Sequence, residues 1–237
     1  MGLHRFSQLL RTLDIQPMGH VDRAMTTPKR GRPKSEAKRR QILEAARTVL
    51  FDVGYSAMTM ETVAELAGVS KPTIYSHFDS KEKLFGAVLQ TGADERLREL
   101  SAISTNAEEA PEEALRRFGN QFLNLALSKE ARAWDRIMIA EIGRHPAVAN
   151  LFFQAGPSKV LALLGSYLRE QDDAGRLRVP DPAIAAEQFI GLLLGIKLLR
   201  HRVGLDDDTN RGEWPRHVDE AVRTFLAAYR PKTADSA

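Results

Sequence analysis

Apolar residues recur at helical spacing along almost the whole chain, and no stretch alternates like a half-buried strand. Between residues 42 and 53, Ile42, Ala45, Ala46, Val49, Leu50 and Val53 fall at i, i+3, i+4, i+7, i+8 and i+11. These positions share one face of a 3.6-residue helix. The pattern confines the chain to an all-α fold. The first expected helix starts near Glu36 and is closed by Gly54 as a left-handed cap. Thr59 caps a second helix whose inward residues are Val63, Ala64 and Ala67. Gly68 supplies the turn, and Ser70 caps a third helix with Pro72 in its first turn. A fourth starts at Lys81, behind Asp79 or Ser80, and runs to about Ser104. Further helices are expected at 111–127, 130–143, 146–154, 158–171, 182–203 and 214–229, separated by Pro and Gly breakers.

The 237 residues suffice for one or two domains with a sizeable core. Charge is unevenly spread. Residues 1–85 hold 14 Lys and Arg against 9 Asp and Glu, while residues 86–237 hold 20 against 22. The front third is therefore the part that attracts polyanions. There is no cysteine, which excludes disulfides and thiolate metal sites. No signal peptide is visible, and the longest apolar run, FIGLLLGIKLL, is short and carries Lys197, so no membrane partner is expected. A cytoplasmic protein is the expectation. No nucleophile-elbow, H-E-x-x-H, Walker or dinucleotide fingerprint occurs, so no catalytic residue and no cofactor are expected.

The third helix carries unusual chemistry. With Ile74 and Phe78 facing inward, the outer arc is Pro72, Thr73, Tyr75 and Ser76, with Lys71 leading and His77 trailing. An ordinary exposed helix carries Glu, Lys and Gln there. Hydroxyls, a proline ring and an aromatic suit phosphate oxygens and base edges in a major groove. The alternative is a small packing helix of accidental polarity. Helix, glycine turn and helix together make a helix-turn-helix. Thr59 and Ser70 stand at helix N-termini, where phosphates bind, and Lys81 opens the next helix on the same side. Before the head lies a basic run, 28–40. Its Arg30-Gly31-Arg32-Pro33 reads as a mobile arm for a minor groove or as a solvated tail.

Residues 42–84, ILEAARTVLFDVGYSAMTMETVAELAGVSKPTIYSHFDSKEKL, resemble the TetR family of helix-turn-helix regulators. The resemblance implies a three-helix DNA-binding head, a dimer and an all-α body that senses small molecules. It implies DNA contacts at Thr59, Lys71, Thr73, Tyr75, His77 and Lys81. Residues 135–195 are similar to the C-terminal body of AefR-type members. The expected organisation is a flexible basic arm at 1–35, a DNA-binding head at 36–84 and a ligand-binding and dimerisation body at 85–237. The implied function is a repressor released from a palindromic operator by a small apolar ligand. A constitutive DNA binder and a helical enzyme are the alternatives.

Within the body, Phe122, Trp134, Ile137, Met138, Phe152 and Tyr167 are candidates for a ligand pocket, although plain core explains most such residues. The stretch 182–203 is apolar nearly all round, which suggests a second partner surface. Phe189, Leu193 and Leu199, with Val222 and Phe225 from the last helix, are the candidate dimer contacts. Asp206, Asp208 and Asn210 begin like a calcium loop, but Arg211 stands at the sixth position and His217 at the twelfth. This segment reads as a solvated loop, and no metal is expected.

Overall fold

The structure is a computed structural model that describes residues 32–101, 109–205 and 212–231. The chain divides into two compact units, 1–35 and 36–237, and the described part of the first is the opening turn of one helix. Among the described residues there are ten helices. They are α1 (Arg32–Ala57), α2 (Met60–Leu66), α3 (Lys71–His77), α4 (Lys81–Leu100) and α5 (Pro111–Ala126). There follow α6 (Lys129–Glu141), α7 (Pro146–Ala155), α8 (Pro157–Asp173), α9 (Pro182–Arg202) and α10 (Trp214–Tyr229).

Local chemistry sets the boundaries. Thr59 and Thr62 form a reciprocal capping box, with the Thr62 N–H donating to Thr59 Oγ1 at 3.1 Å. Ser70 caps α3, and Ser80 caps α4 by accepting from the Lys83 N–H at 3.3 Å. One expectation about α1 needs correction: the helix is already formed at Arg32, ahead of Glu36, and Pro33 in an early turn forfeits no hydrogen bond. Gly54 closes its regular run with a positive φ, at φ 78 and ψ 175, and a short further segment reaches Ala57. That conformation is open almost solely to glycine. Gly54→Ala is expected to lower unfolding free energy by about 1–3 kcal/mol, measured by chemical denaturation.

Two apolar clusters hold the fold. The first joins Ile42, Leu50, Val63, Ile74 and Phe78 of the head to Phe85 and Leu89 of α4, and to Trp134, Ile137 and Met138 of α6. The expected boundary between residues 84 and 85 therefore falls inside one core. The second cluster is built from α5, α8, α9 and α10 around Phe118, Phe189 and Phe225. Each fully buried Phe contributes about 1.5–3 kcal/mol through removal of its ring from water. Gly119 lets α5 approach closely, since a Cβ there would lie 2.8 Å from Val218 Cγ1 and 3.1 Å from Leu193 Cδ2.

This packing overturns most of the expected subunit interface. Phe189, Leu193, Val222 and Phe225 are sealed in the chain's own second cluster and present nothing to a partner. Leu199 is 56% exposed. Nor is α9 buried on every side. Ala185, Ala186, Phe189 and Leu193 face inward, while Ile184, Leu192, Ile196, Leu199 and Val203 (at the helix end) are exposed apolar residues on either side of a break at Gly195 (φ 39, ψ -135). By length and composition α9 could cross a membrane, as could the stretch Pro146–Asp173, although core helices of soluble proteins pass the same test. The latter stretch is interrupted at Gly156, between α7 and α8.

Candidate functional site

Helix α3 turns the expected residues outward. Ile74 and Phe78 are buried, while Lys71, Pro72, Tyr75 and Ser76 are exposed, and Thr73 and His77 are half-buried. Tyr75 leaves 40% of its surface open. The hydroxyls are already organised. Ser70 Oγ and Thr73 Oγ1 lie 2.8 Å apart, and Ser76 Oγ donates to the Thr73 carbonyl at 2.7 Å. Thr59 and Ser70 are exposed at the N-termini of α2 and α3.

The cations differ from one another. Lys71 Nζ pairs with Glu61 Oε1 at 2.5 Å across α2 and α3. That hydrogen bond raises the Lys71 pKa above its ordinary value and lowers that of Glu61. The pair is exposed, and such surface pairs contribute little to stability. Lys81 is turned inward: Nζ donates to the Ser56 carbonyl at 3.1 Å and lies 4.4 Å from the centre of the Tyr55 ring. Burial lowers its pKa, and it stands as a strut behind the head. Arg39 covers the inner end of α3, 5.0 Å from the Phe78 ring centre. Arg30 lies outside the described residues, and Arg32 opens α1.

Behind the head lies a polar junction that sequence reasoning missed. Glu141, at the end of α6, is 5% exposed. It accepts from the Ser56 N–H at 3.0 Å and from Ser56 Oγ at 2.5 Å, so it ties α6 to the end of α1. Burial opposes its charge, but the bonds from Ser56, with His145 and Arg144 nearby, hold its carboxyl below the usual range. A folded pKa lowered in this way contributes stability that is full above the unfolded value of about 4.3 and is lost as pH falls below it. Glu141→Ala is therefore expected to cost about 1.5–3 kcal/mol at neutral pH. In denaturation midpoints taken from pH 7 to pH 3, the gap to wild type should close below about pH 4. Only Glu141's place late in an amphipathic helix hinted at this contact, because its partner is 85 residues away.

Between the two clusters is a cavity of about 390 Å³, within the roughly 300–1,000 Å³ usual for small-ligand sites. Its wall is drawn from α4 to α9 and is almost wholly apolar: Leu89, Phe122, Trp134, Phe152, Phe153 and Leu194 are among the lining residues. Of the pocket residues expected from sequence, Phe122, Trp134 and Phe152 line it. Ile137 and Met138 do not; they pack in the head-side cluster. Tyr167 is also absent from the wall, being buried in the other cluster, where burial pushes its pKa up to about 12. Trp134 belongs to both places. It forms cavity wall, and its ring meets Phe51 of α1 edge-on at 4.9 Å and Phe85 of α4 at 6.4 Å. Asp135 and Arg202, ion-paired at 3.1 Å, are the charged lining residues, and neither is prominent in sequence. Among the described residues no group of three His, Asp or Glu converges on a metal position. The loop with Asp206, Asp208 and Asn210 lies outside them.

Residues 42–88 match the family model for bacterial regulatory proteins of the tetR family. Residues 113–231 match the model for the C-terminal domain of AefR-like transcriptional repressors. The chain is similar to YhgD of Bacillus subtilis (strain 168), an uncharacterised HTH-type transcriptional regulator. The two are 29% identical over 183 residues, which are 74% of this chain and 91% of YhgD. The HTH-type transcriptional activator FasR of Mycolicibacterium smegmatis (strain ATCC 700084 / mc(2)155) is 50% identical over 62 residues, 26% of this chain and 28% of FasR. Among solved structures, the flavonoid-responsive regulator FrrA superposes with a TM-score of 0.74 at 31% identity, covering 84% of this chain and 100% of FrrA. With the body model alone spanning half of the sequence and a second model covering the head, this chain belongs to the TetR family of DNA-binding transcriptional regulators and is not an enzyme.

Proposed function

We propose that the protein is a cytoplasmic repressor that sits on a palindromic operator as a homodimer and leaves it when an apolar ligand fills the cavity. The observation that carries this reading is the double position of Trp134, at once cavity wall and part of the head's core. A ligand pressing on that wall acts on α4 and α6, the helices on which the head rests. Coupling of about 1–3 kcal/mol changes operator affinity roughly 5–150-fold. The aromatic lining favours an aromatic ligand, and the similarity to a regulator named for flavonoids points the same way.

In this reading Pro72, Thr73, Tyr75 and Ser76 enter the major groove, and Lys71 takes a phosphate at its edge. Thr59, Ser70 and His77 take phosphates, Lys81 supports the same edge, and Arg30 and Arg32 follow the minor groove. The exposed apolar residues of α9 meet their copies across a two-fold axis, which hides Ile184, Leu192, Ile196 and Leu199 from water. Ile196→Asp is expected to convert a dimer into a monomer in sedimentation at micromolar concentration, and to abolish operator binding. Footprinting of the DNA flanking the gene tests the whole reading. Two protected half-sites about 34–36 Å apart, or a multiple of that spacing, are expected. A ligand-bound protein that protects the same DNA equally well contradicts release.

A further inference from the structure

We propose that the cavity takes a ligand with an apolar body and a single carboxylate, and that Arg202 receives the carboxylate. The inference rests on reading the cavity as an effector site and adds the chemistry of its occupant. An otherwise apolar wall contains one ion pair, Asp135 of α6 with Arg202 of α9. The two partners are unequal. The Asp135 side chain is 16% exposed and the Arg202 side chain 44%. Arg202 engages Asp135 through Nε alone, at 3.1 Å, and its Nη1 and Nη2 make no hydrogen bond among the described residues.

A guanidinium is a planar fork of five donors, and its terminal pair matches the two oxygens of a carboxylate. A ligand carboxylate therefore joins Arg202 without displacing Asp135, while its apolar body lies against Phe122, Trp134, Phe152 and Phe153. Such a bond to a charged group is expected to favour an acid over its neutral counterpart by about 10–100-fold. Asp135 limits that preference, because its negative charge stands beside the site. A cationic ligand is the opposite assignment. It would need Asp135, which is the more buried member and is already engaged by Arg202.

The test is calorimetric titration of the full chain with three matched probes: 2-naphthoate, the neutral alcohol 2-naphthalenemethanol, and the corresponding naphthylmethyl ammonium. Wild type is expected to bind the acid about tenfold or more tighter than the alcohol. Arg202→Gln should weaken acid binding tenfold or more and alcohol binding far less, which brings the two affinities together. Asp135→Asn should tighten acid binding several-fold, with a smaller change for the alcohol. If Arg202→Gln fails to fold, the Asp135→Asn result decides. An acid preference that survives Arg202→Gln overturns the inference, as does an ammonium preference lost in Asp135→Asn. Tight binding of the alcohol with no acid preference overturns it too but leaves the effector cavity standing. Failure of all three probes to bind removes the cavity reading itself.

Discussion

Replacing Thr73 and Tyr75 together by alanine is expected to reduce operator affinity by at least two orders of magnitude, with no loss of fold. Both side chains stand on the outer arc of α3, and neither contributes to the buried cluster that holds the head. Each good bond to a base edge is worth about 1–3 kcal/mol, and a dimer makes each of them twice. Phosphate bonds behave differently. Lys71→Ala should weaken binding to all sequences alike and flatten the salt dependence by about 0.9 log units for each phosphate no longer neutralised. In anisotropy titrations of labelled operator, the double substitution should therefore remove the preference for operator over random DNA, while Lys71→Ala should keep it. An unchanged preference in the double variant would show that α3 does not read the bases.

Trp134→Ala carries the other large effect. The ring is 4% exposed and touches both Phe51 and Phe85, so its removal empties space at the seam between head and body. Truncating a buried Trp costs about 3–5 kcal/mol. For a chain of this size that lowers the melting temperature by roughly 6–20 °C. The void also merges with the cavity, so a ligand can bind while pressing on nothing. Calorimetry should show retained ligand binding, and operator affinity should become insensitive to the ligand. Trp134→Phe keeps an edge for Phe51 and should recover most of the stability. A Trp134→Ala protein that still releases DNA on binding ligand would place the coupling elsewhere.

The local signals read well from sequence because their causes are local. Thr59, Ser70 and the spacing of Ile74 and Phe78 define caps and an inward face within a few residues, and the structure keeps them. Helix polarity was legible; which apolar helix faces which neighbour was not. Phe189 and Val222 looked like subunit contacts because both helices are rich in apolar residues, yet they meet inside one chain. The apolar residues actually left exposed, Ile184 to Val203, sit on the same helix as the buried Phe189 and on both sides of its break at Gly195, and composition alone does not separate the two sets. Ile137 and Met138 were indistinguishable from the cavity-lining Trp134 for the same reason, since all three are large apolar residues on one helix. The Ser56–Glu141 and Asp135–Arg202 pairs span 85 and 67 residues, and no local pattern encodes partners so distant. Lys81 shows the converse limit: its motif position suggested a phosphate, whereas the fold bends it back onto Tyr55 and Ser56.

The most direct measurement is operator affinity of the same protein sample, free and with the cavity occupied, at one salt concentration. Site occupancy should be confirmed in parallel by quenching of tryptophan fluorescence, and Trp134→Phe should separate Trp134 from Trp214. The account predicts a loss of affinity of roughly 5–150-fold on saturation with ligand. Saturated protein that holds its operator as tightly as free protein would contradict it.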